Sequence, residues 1–328
     1  MLSGNLIWSW SDFVNPNPGQ NVIGHSKTFV LDDLLFADSY QDSYGINIQN
    51  GATMWSNYLD HGDPHSSTSN GLIFQPVTYS SGFESDSSSI FMLDNPKLGE
   101  WREIHKIVKE DDFEKRVIPP TSFFNEMGDT LLLFHVRQIV RSPYQIKVDL
   151  HCYNLTQKRM EWEHLEFDQW GNSNARAPLI DGDYCYFVGL ASAYCFNIHT
   201  GEKIWQYDHD VAWQLSNYLI HENNFIIKDD QSNLLAINKN SGQLTWKNTD
   251  ASPCCVTMRL YGDRIYYGNA GLYIVDARTG EMLHRDLQSP NKEEFPGAEF
   301  SNTVAVDLEE RIMYATDGYF VMAMELPE

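Results

Sequence analysis

Short apolar runs, each ended by Asn or Asp and a small polar turn, recur down this chain. One reads Cys195-Phe196-Asn197-Ile198-His199-Thr200-Gly201 with Trp205 following. It returns as Ala236-Ile237-Asn238-Lys239-Asn240-Ser241-Gly242 with Trp246, and as Ile274-Val275-Asp276-Ala277-Arg278-Thr279-Gly280 with His284 in the Trp place. A weaker copy is Asn47-Ile48-Gln49-Asn50-Gly51 with Trp55. Apolar positions alternate on both sides of the Gly, which predicts a β-hairpin of half-buried strands. Gly supplies the positive φ of the bend, and Thr, Ser or Asn before it suits a turn. A large ring at one fixed place in every copy predicts packing between neighbouring units.

The copies pace out the whole chain at intervals of roughly 40 to 60 residues, the signature of stacked identical units. Trp8 follows Gly4, Trp101 follows Gly99 at shorter range, and Trp162 follows a diverged turn at Thr156-Gln157. The two ends read as parts of one unit: Arg311–Ala315 and Tyr319–Met324 give two strands, and Ser3–Trp8 gives the Gly-to-Trp strand, with Glu325 in the Asn/Asp place. A ring of sheets closed by a strand from the other terminus leaves only short protected edges. The pattern therefore predicts an all-β chain forming a single seven-bladed β-propeller over residues 1–328, with four-stranded antiparallel blades and the N-terminal strand completing the C-terminal blade. The expected blades are 299–328 with 1–10, then 25–58, 71–103, 117–164, 177–207, 215–248 and 256–287.

The phrase Ala-x-Asp-x-x-Thr-Gly-x-x-x-Trp resembles the repeat of pyrroloquinoline-quinone-like (PQQ-like) β-propellers, strongly over 180–288 and poorly between 70 and 165. The resemblance implies a propeller. It implies no cofactor, because that family includes both quinone enzymes and non-catalytic scaffolds.

Composition narrows the function. The 45 acidic against 23 basic residues give a net charge of −22. Such a chain repels nucleic-acid backbones and anionic membranes, and its natural partner is a basic protein. No apolar run approaches 18 residues, so no membrane span is expected. Met1–Trp8 lacks a secretory pattern, which makes the expected location cytoplasmic. Cys152, Cys185 and Cys195 fall in expected strands and read as buried free thiols.

Catalytic and metal-binding motifs are sparse. Cys254-Cys255 has the form of a vicinal pair, as some quinone-dependent alcohol dehydrogenases place against their cofactor. No calcium-site spacing accompanies it, so strand thiols are the simpler reading. His61 and His65 are four apart, but Gly62 and Pro64 deny them the helix that would make a zinc pair. Segment 103–117 is charged and fits either a β-edge with a solvated loop or a short inserted helix. No cofactor or metal is expected, and the residues assign no catalytic group.

The connectors between blades carry the stronger signal. They contain Trp10 and Asp12; Asp60 and His61; Trp170, Asn172, Asn174 and Arg176; His209, Asp210 and Trp213; Asp250; and Glu293, Glu294 and Glu299. In a propeller these connectors share one face, and aromatic anchors ringed by charge are a protein-binding composition. The same tryptophans would also serve simply to cover the blade tops. The leading expectation is a non-enzymatic protein-interaction module, in its sharpest form an inhibitor or immunity-type partner of a basic toxin or nuclease. The alternatives are a channel-site enzyme or carbohydrate-binding protein and, last, a quinone-dependent dehydrogenase.

Overall fold

The computed structural model describes residues 28–38, 42–58, 67–81, 84–108, 114–141, 144–168, 177–189, 192–209, 217–229, 231–251, 257–269, 271–286, 289, 291, 293, 304–309, 311–316 and 321–326. The chain divides into two compact units, Met1–Gln169 and Trp170–Glu328. Among the described residues there is no helix; the strands form small antiparallel sheets, each built from strands consecutive in sequence.

The first unit holds three sheets. One contains β1 (Thr28–Leu31), β2 (Leu34–Asp38), β3 (Asp42–Asn47) and β4 (Thr53–Tyr58). The next contains β5 (Ser67–Ser69), β6 (Leu72–Ser81), β7 (Glu84–Asn95) and β8 (Glu100–Val108). The third contains β9 (Glu114–Val117), β10 (Thr121–Phe124), β11 (Thr130–Arg141), β12 (Tyr144–Asn154) and β13 (Arg159–Asp168). Here β9 and β10 both pair with β11, one beyond the other along the same strand. The charged stretch at 103–117 therefore supplies strand residues at both its ends.

The second unit holds four sheets. These are β14 (Leu179–Asp181) to β17 (Lys203–Asp208) through β15 (Tyr184–Val188) and β16 (Ser192–Asn197), and β18 (Leu219–His221) to β21 (Leu244–Asn248) through β19 (Asn224–Lys228) and β20 (Leu234–Asn238). Then come β22 (Arg259–Tyr261), β23 (Arg264–Gly268), β24 (Leu272–Asp276) and β25 (Met282–Asp286). The last sheet has three described strands, β26 (Val304–Asp307), β27 (Ile312–Thr316) and β28 (Val321–Glu325), one more than the sequence pattern marks at that end.

Within each unit, consecutive sheets pack face against face. Tyr186, Cys195 and Trp205 meet Phe225, Ile227 and Leu235; Ile226, Ala236 and Trp246 meet Ile265, Tyr267 and Val275. The middle strands are consequently covered on both faces. Each of the five residues of β19 is buried, whereas β21 shows one buried residue among exposed and half-buried ones. Half-buried alternation thus describes the outer strands, and the middle strands read as continuous apolar runs because a neighbouring sheet lies on each side.

The repeated phrase is one hydrogen-bonded turn. The side-chain Oδ1 of Asn197 accepts from His199 N at 2.9 Å and Thr200 N at 3.0 Å, while Gly201 N donates to Asn197 O at 2.9 Å. Asn47, Asn238 and Asp276 repeat all three bonds. This explains the Asn or Asp: a short side chain satisfies backbone donors that the bend takes out of the ladder. The next residue then ties strand three to the turn between strands one and two, as Ile198 N does to Asp183 O at 2.9 Å and Ala277 N does to Asp263 O at 2.8 Å. Leu326 N makes the same bond to Arg311 O at 2.8 Å, which puts Glu325 in the Asn/Asp place.

The structure also gives the two diverged copies their turns. Asn95 and Gly99 close the same turn, with Lys97 N on Asn95 Oδ1 and Gly99 N on Asn95 O. Asn154 opens another, in which Lys158 occupies the Gly place at a φ of 56°. A side chain there costs about 1–2 kcal/mol. Lys158→Gly is expected to raise stability by about 0.5–1 kcal/mol, since glycine returns part of the gain as unfolded-state entropy. A higher urea midpoint at an unchanged slope checks this.

A β-bulge sets the Trp. Cys195 faces Trp205 and Phe196 faces Lys203, so Ile204 is the extra residue, and the same slip precedes Trp55, Trp162, Trp246 and His284. The ring then reaches the next sheet of its unit. Trp205 Nε1 donates to Lys239 O at 2.8 Å, and Trp55 Nε1 to Pro96 O at 2.6 Å. Each ring lies where the following turn has Gly: Trp55 on Gly99, Trp205 on Gly242, Trp246 on Gly280. Trp101 reaches the equivalent register, opposite Leu93, because its bulge moves to the other strand at Asp94. It packs instead toward Phe36, at 6.1 Å between ring centroids.

Candidate functional site

The turns of the second unit carry a chain of charges that links neighbouring sheets. Lys239, in the turn after β20, reaches Asp181 of the preceding sheet at 2.5 Å. Arg278, in the turn after β24, reaches Glu222 of the preceding sheet and Asp263 of its own, each at 3.0 Å. His221 Nε2 lies 2.9 Å from Asp263 Oδ1. The geometry follows from the repeat: the turn after strand three always sits beside the turns after strand one, in its own sheet and the previous one. Charges at those few positions must meet.

His221, Glu222 and Asp263 bring their ligand-type atoms within 4.8 Å of one another. The donor set suits a divalent cation, and the Arg278 guanidinium already supplies the counter-charge. Asp276 at the base of the same turn sits below the usual carboxylate range: burial pushes it up, but the N–H groups of Thr279 and Arg278 outweigh that.

Beside this network is a cleft of about 290 Å³ lined by Tyr261, Gly262, Asp263, Arg264, Tyr266, Leu308, Arg311 and Leu326. Tyr261 and Tyr266 meet edge to face at 5.8 Å. Arg311 Nη2 donates to Leu326 O at 3.3 Å. The sequence pattern did not mark these residues. The available signal was the position of Arg278, Glu222 and Asp263 inside turns that recur at one period.

The first unit has a second polar cluster. His151 is buried, stacks on Phe134 at 5.4 Å, and places Nδ1 3.0 Å from Glu163. Asp149, also buried, accepts from Glu166 N at 2.7 Å, which pins Glu166 at a φ of 50°. Burial raises the Asp149 carboxyl, but the neighbouring His151 ring and hydrogen bonds from Glu166 N and Gln138 hold it below the ordinary range. His105 is lowered by burial and by neighbouring His151, which outweigh the raising effect of Glu163 and Glu103. These side chains fix the rim of the core between β8, β11 and β12 (Phe134, Val136 and Tyr153 with Ile104 and Ile107).

Of the connector residues marked in the sequence, three fall within the described part. His209 is buried beside Asp208; Asp250 and Glu293 are exposed, with Asp250 N bonded to Asn248 Oδ1 at 2.7 Å. Hydrogen bonds from Gln206 and Ser192 hold the Asp208 carboxyl below the usual range. Trp10, Asp12, Asp60, His61, Trp170, Asn172, Asn174, Arg176, Asp210, Trp213, Glu294 and Glu299 lie outside the described residues, as do His65, Cys254 and Cys255. Cys152, Cys185 and Cys195 are buried free thiols, and burial pushes Cys152 and Cys195 up to about 12, far from a reactive thiolate at neutral pH.

A family model described as outer membrane protein assembly factor BamB matches residues 145–248 and 189–323, together more than half of the chain. Among solved structures, BamB from Moraxella catarrhalis is similar with a TM-score of 0.60 at 12% identity, covering 92% of this chain and 82% of that one. The computationally designed protein Ika8 gives a TM-score of 0.49 at 10% identity over 91% of this chain and 95% of its own. No curated protein sequence matches. At 12% identity the likeness to BamB is one of fold.

Proposed function

Because the chain belongs to the BamB-type family of PQQ-like β-propellers, we propose that it works as a protein-interaction module whose partner is basic. The family match carries this reading, since BamB is an outer membrane protein assembly factor, a protein that works on other proteins. The charge of −22 supports a basic partner by steering its approach. An inhibitor or immunity-type role against a basic toxin or nuclease is the sharpest form of the same proposal. The connector residues from Trp10 to Glu299 remain the proposed contact set, with acids steering and tryptophans anchoring.

The test is a pull-down from native extract at low and high salt, read by mass spectrometry. A single basic protein retained at low salt and weakened by salt is the expected result. Substituting Asp250, Glu293, Trp170 and Trp213 together should abolish that retention; unchanged retention would refute the contact set, and an empty eluate would refute the module.

The proposal includes one ring of seven blades, in which the strand at residues 3–8 completes the sheet of β26, β27 and β28. Two observations support it: among the described residues six sheets have four strands or more while this one has three, and Leu326 N bonds to Arg311 O as the residue after the Asn/Asp does in the other copies. Gly4 and Trp8 carry the Gly-to-Trp spacing that this sheet lacks. Trp8→Ala should then lower the melting temperature as much as Trp205→Ala does. An unaltered melting temperature would rule out the closure.

A further inference from the structure

The cleft between the β22–β23 turn and the β26–β27 turn has a ligand chemistry of its own. Its volume of about 290 Å³ is at the lower end of small-ligand sites, room for one large side chain and a charged group beside it. Tyr261, Tyr266, Leu308 and Leu326 give it aromatic and aliphatic walls. Leu308 is 52% exposed. The edge-to-face pair of Tyr261 and Tyr266 fixes the aromatic wall.

The charge in this cleft runs against that of the chain. Arg264 and Arg311 both line it, against one carboxylate, Asp263. Asp263 is already engaged outside the cleft, by Arg278 at 3.0 Å and His221 at 2.9 Å. Arg311 gives one N–H to the Leu326 carbonyl, and a guanidinium carries five. That bond orients the fork, and among the described residues it uses one of the five donors. A planar fork pairs best with a carboxylate, through two parallel bonds.

We propose that this cleft receives a carboxylate flanked by an apolar or aromatic side chain, presented by a peptide segment of the partner protein. The side chain enters between Tyr261, Tyr266 and Leu308, and the carboxylate meets Arg311 and Arg264. The overall charge of −22 repels an extended acidic segment, so the fitting ligand has a single carboxylate on an otherwise neutral or basic chain. A chain terminus ending in an apolar residue meets that description. The inference rests on the interaction-module reading and gives it a defined anchor.

The probe is N-acetyl-glycyl-phenylalanine, titrated into the full chain beside its carboxamide, with the arginine Nε–H signals followed by NMR. The acid is expected to bind at millimolar concentration or better and the amide about tenfold more weakly. Arg311→Gln should weaken the acid, and Leu308→Ala should weaken it at an unchanged melting temperature, by removing an exposed wall residue that the fold does not need. Equal binding of acid and amide, or equal binding by native and Arg264→Gln/Arg311→Gln chains, would overturn the proposal. So would the absence of any shift up to about 10 mM. The double variant also enters the pull-down. If it keeps the partner and the acid leaves the native chain unshifted, the cleft assignment falls and the module reading stands. If the native chain retains no protein, the module reading falls and the anchor loses its partner.

Discussion

Gly242→Ala destabilises the second unit by about 3 kcal/mol, the sum of a backbone cost and an overlap. The residue sits at a φ of 71°, where an L side chain is strained. A Cβ at this position would lie 2.8 Å from Trp205 Cγ and 2.9 Å from two further Trp205 atoms. The indole cannot retreat, because Nε1 is held by Lys239 O at 2.8 Å and the ring packs near Tyr186 and Phe225. Gly182→Ala isolates the backbone part: φ is 59° and nothing lies within 4 Å of its Cβ, so it should cost only about 1–2 kcal/mol.

Trp205→Ala costs more, about 3–5 kcal/mol, since it empties the space between two sheets. In that background Gly242→Ala loses its overlap and should cost no more than Gly182→Ala. Urea unfolding of the four chains of this cycle gives the coupling directly. Additive effects would show that the ring and the turn are not in register.

Asp229→Ala is the second large effect, at about 3 kcal/mol, because it strands buried donors. Asp229 is 2% exposed and follows β19. Its carboxylate accepts from Asn233 N at 2.7 Å, Gln231 N at 2.9 Å and Asn233 Nδ2 at 2.5 Å. These bonds shape the tight connection into β20, and Asn233 is itself buried. Asp229→Asn should recover about half of the loss: its carbonyl oxygen still takes the two backbone donors, while its amide faces the amide of Asn233. Equal stability of the Asn and Ala variants would show that the backbone bonds are not what the carboxylate provides.

The sheets were legible where the turn is intact. Asn197 to Gly201 and Asp276 to Gly280 place their donors and acceptors within five consecutive residues, so the sequence states the bend outright. Between 70 and 165 the same bend is present but disguised. Lys158 stands for Gly because the backbone tolerates a modest strain, and Trp101 stands two residues after Gly99 because the bulge moves to Asp94. Neither exchange leaves a mark on hydrophobic periodicity. The cleft was not legible for a different reason. Arg264 and Arg311 lie on different sheets, and no local pattern says that the turns carrying them adjoin.

The sequence by itself determined the all-β class and the repeated hairpin, because each is set by contacts a few residues apart. It also determined the acidity that governs which partners can approach. Only the tertiary structure decided what the rings and charges meet. Trp205 finds Gly242 and Lys239 on the next sheet, and Arg278 finds Glu222, 56 residues away in the chain. Those pairings depend on how one sheet stacks on the next, a distance the repeat spans but does not encode in any one copy.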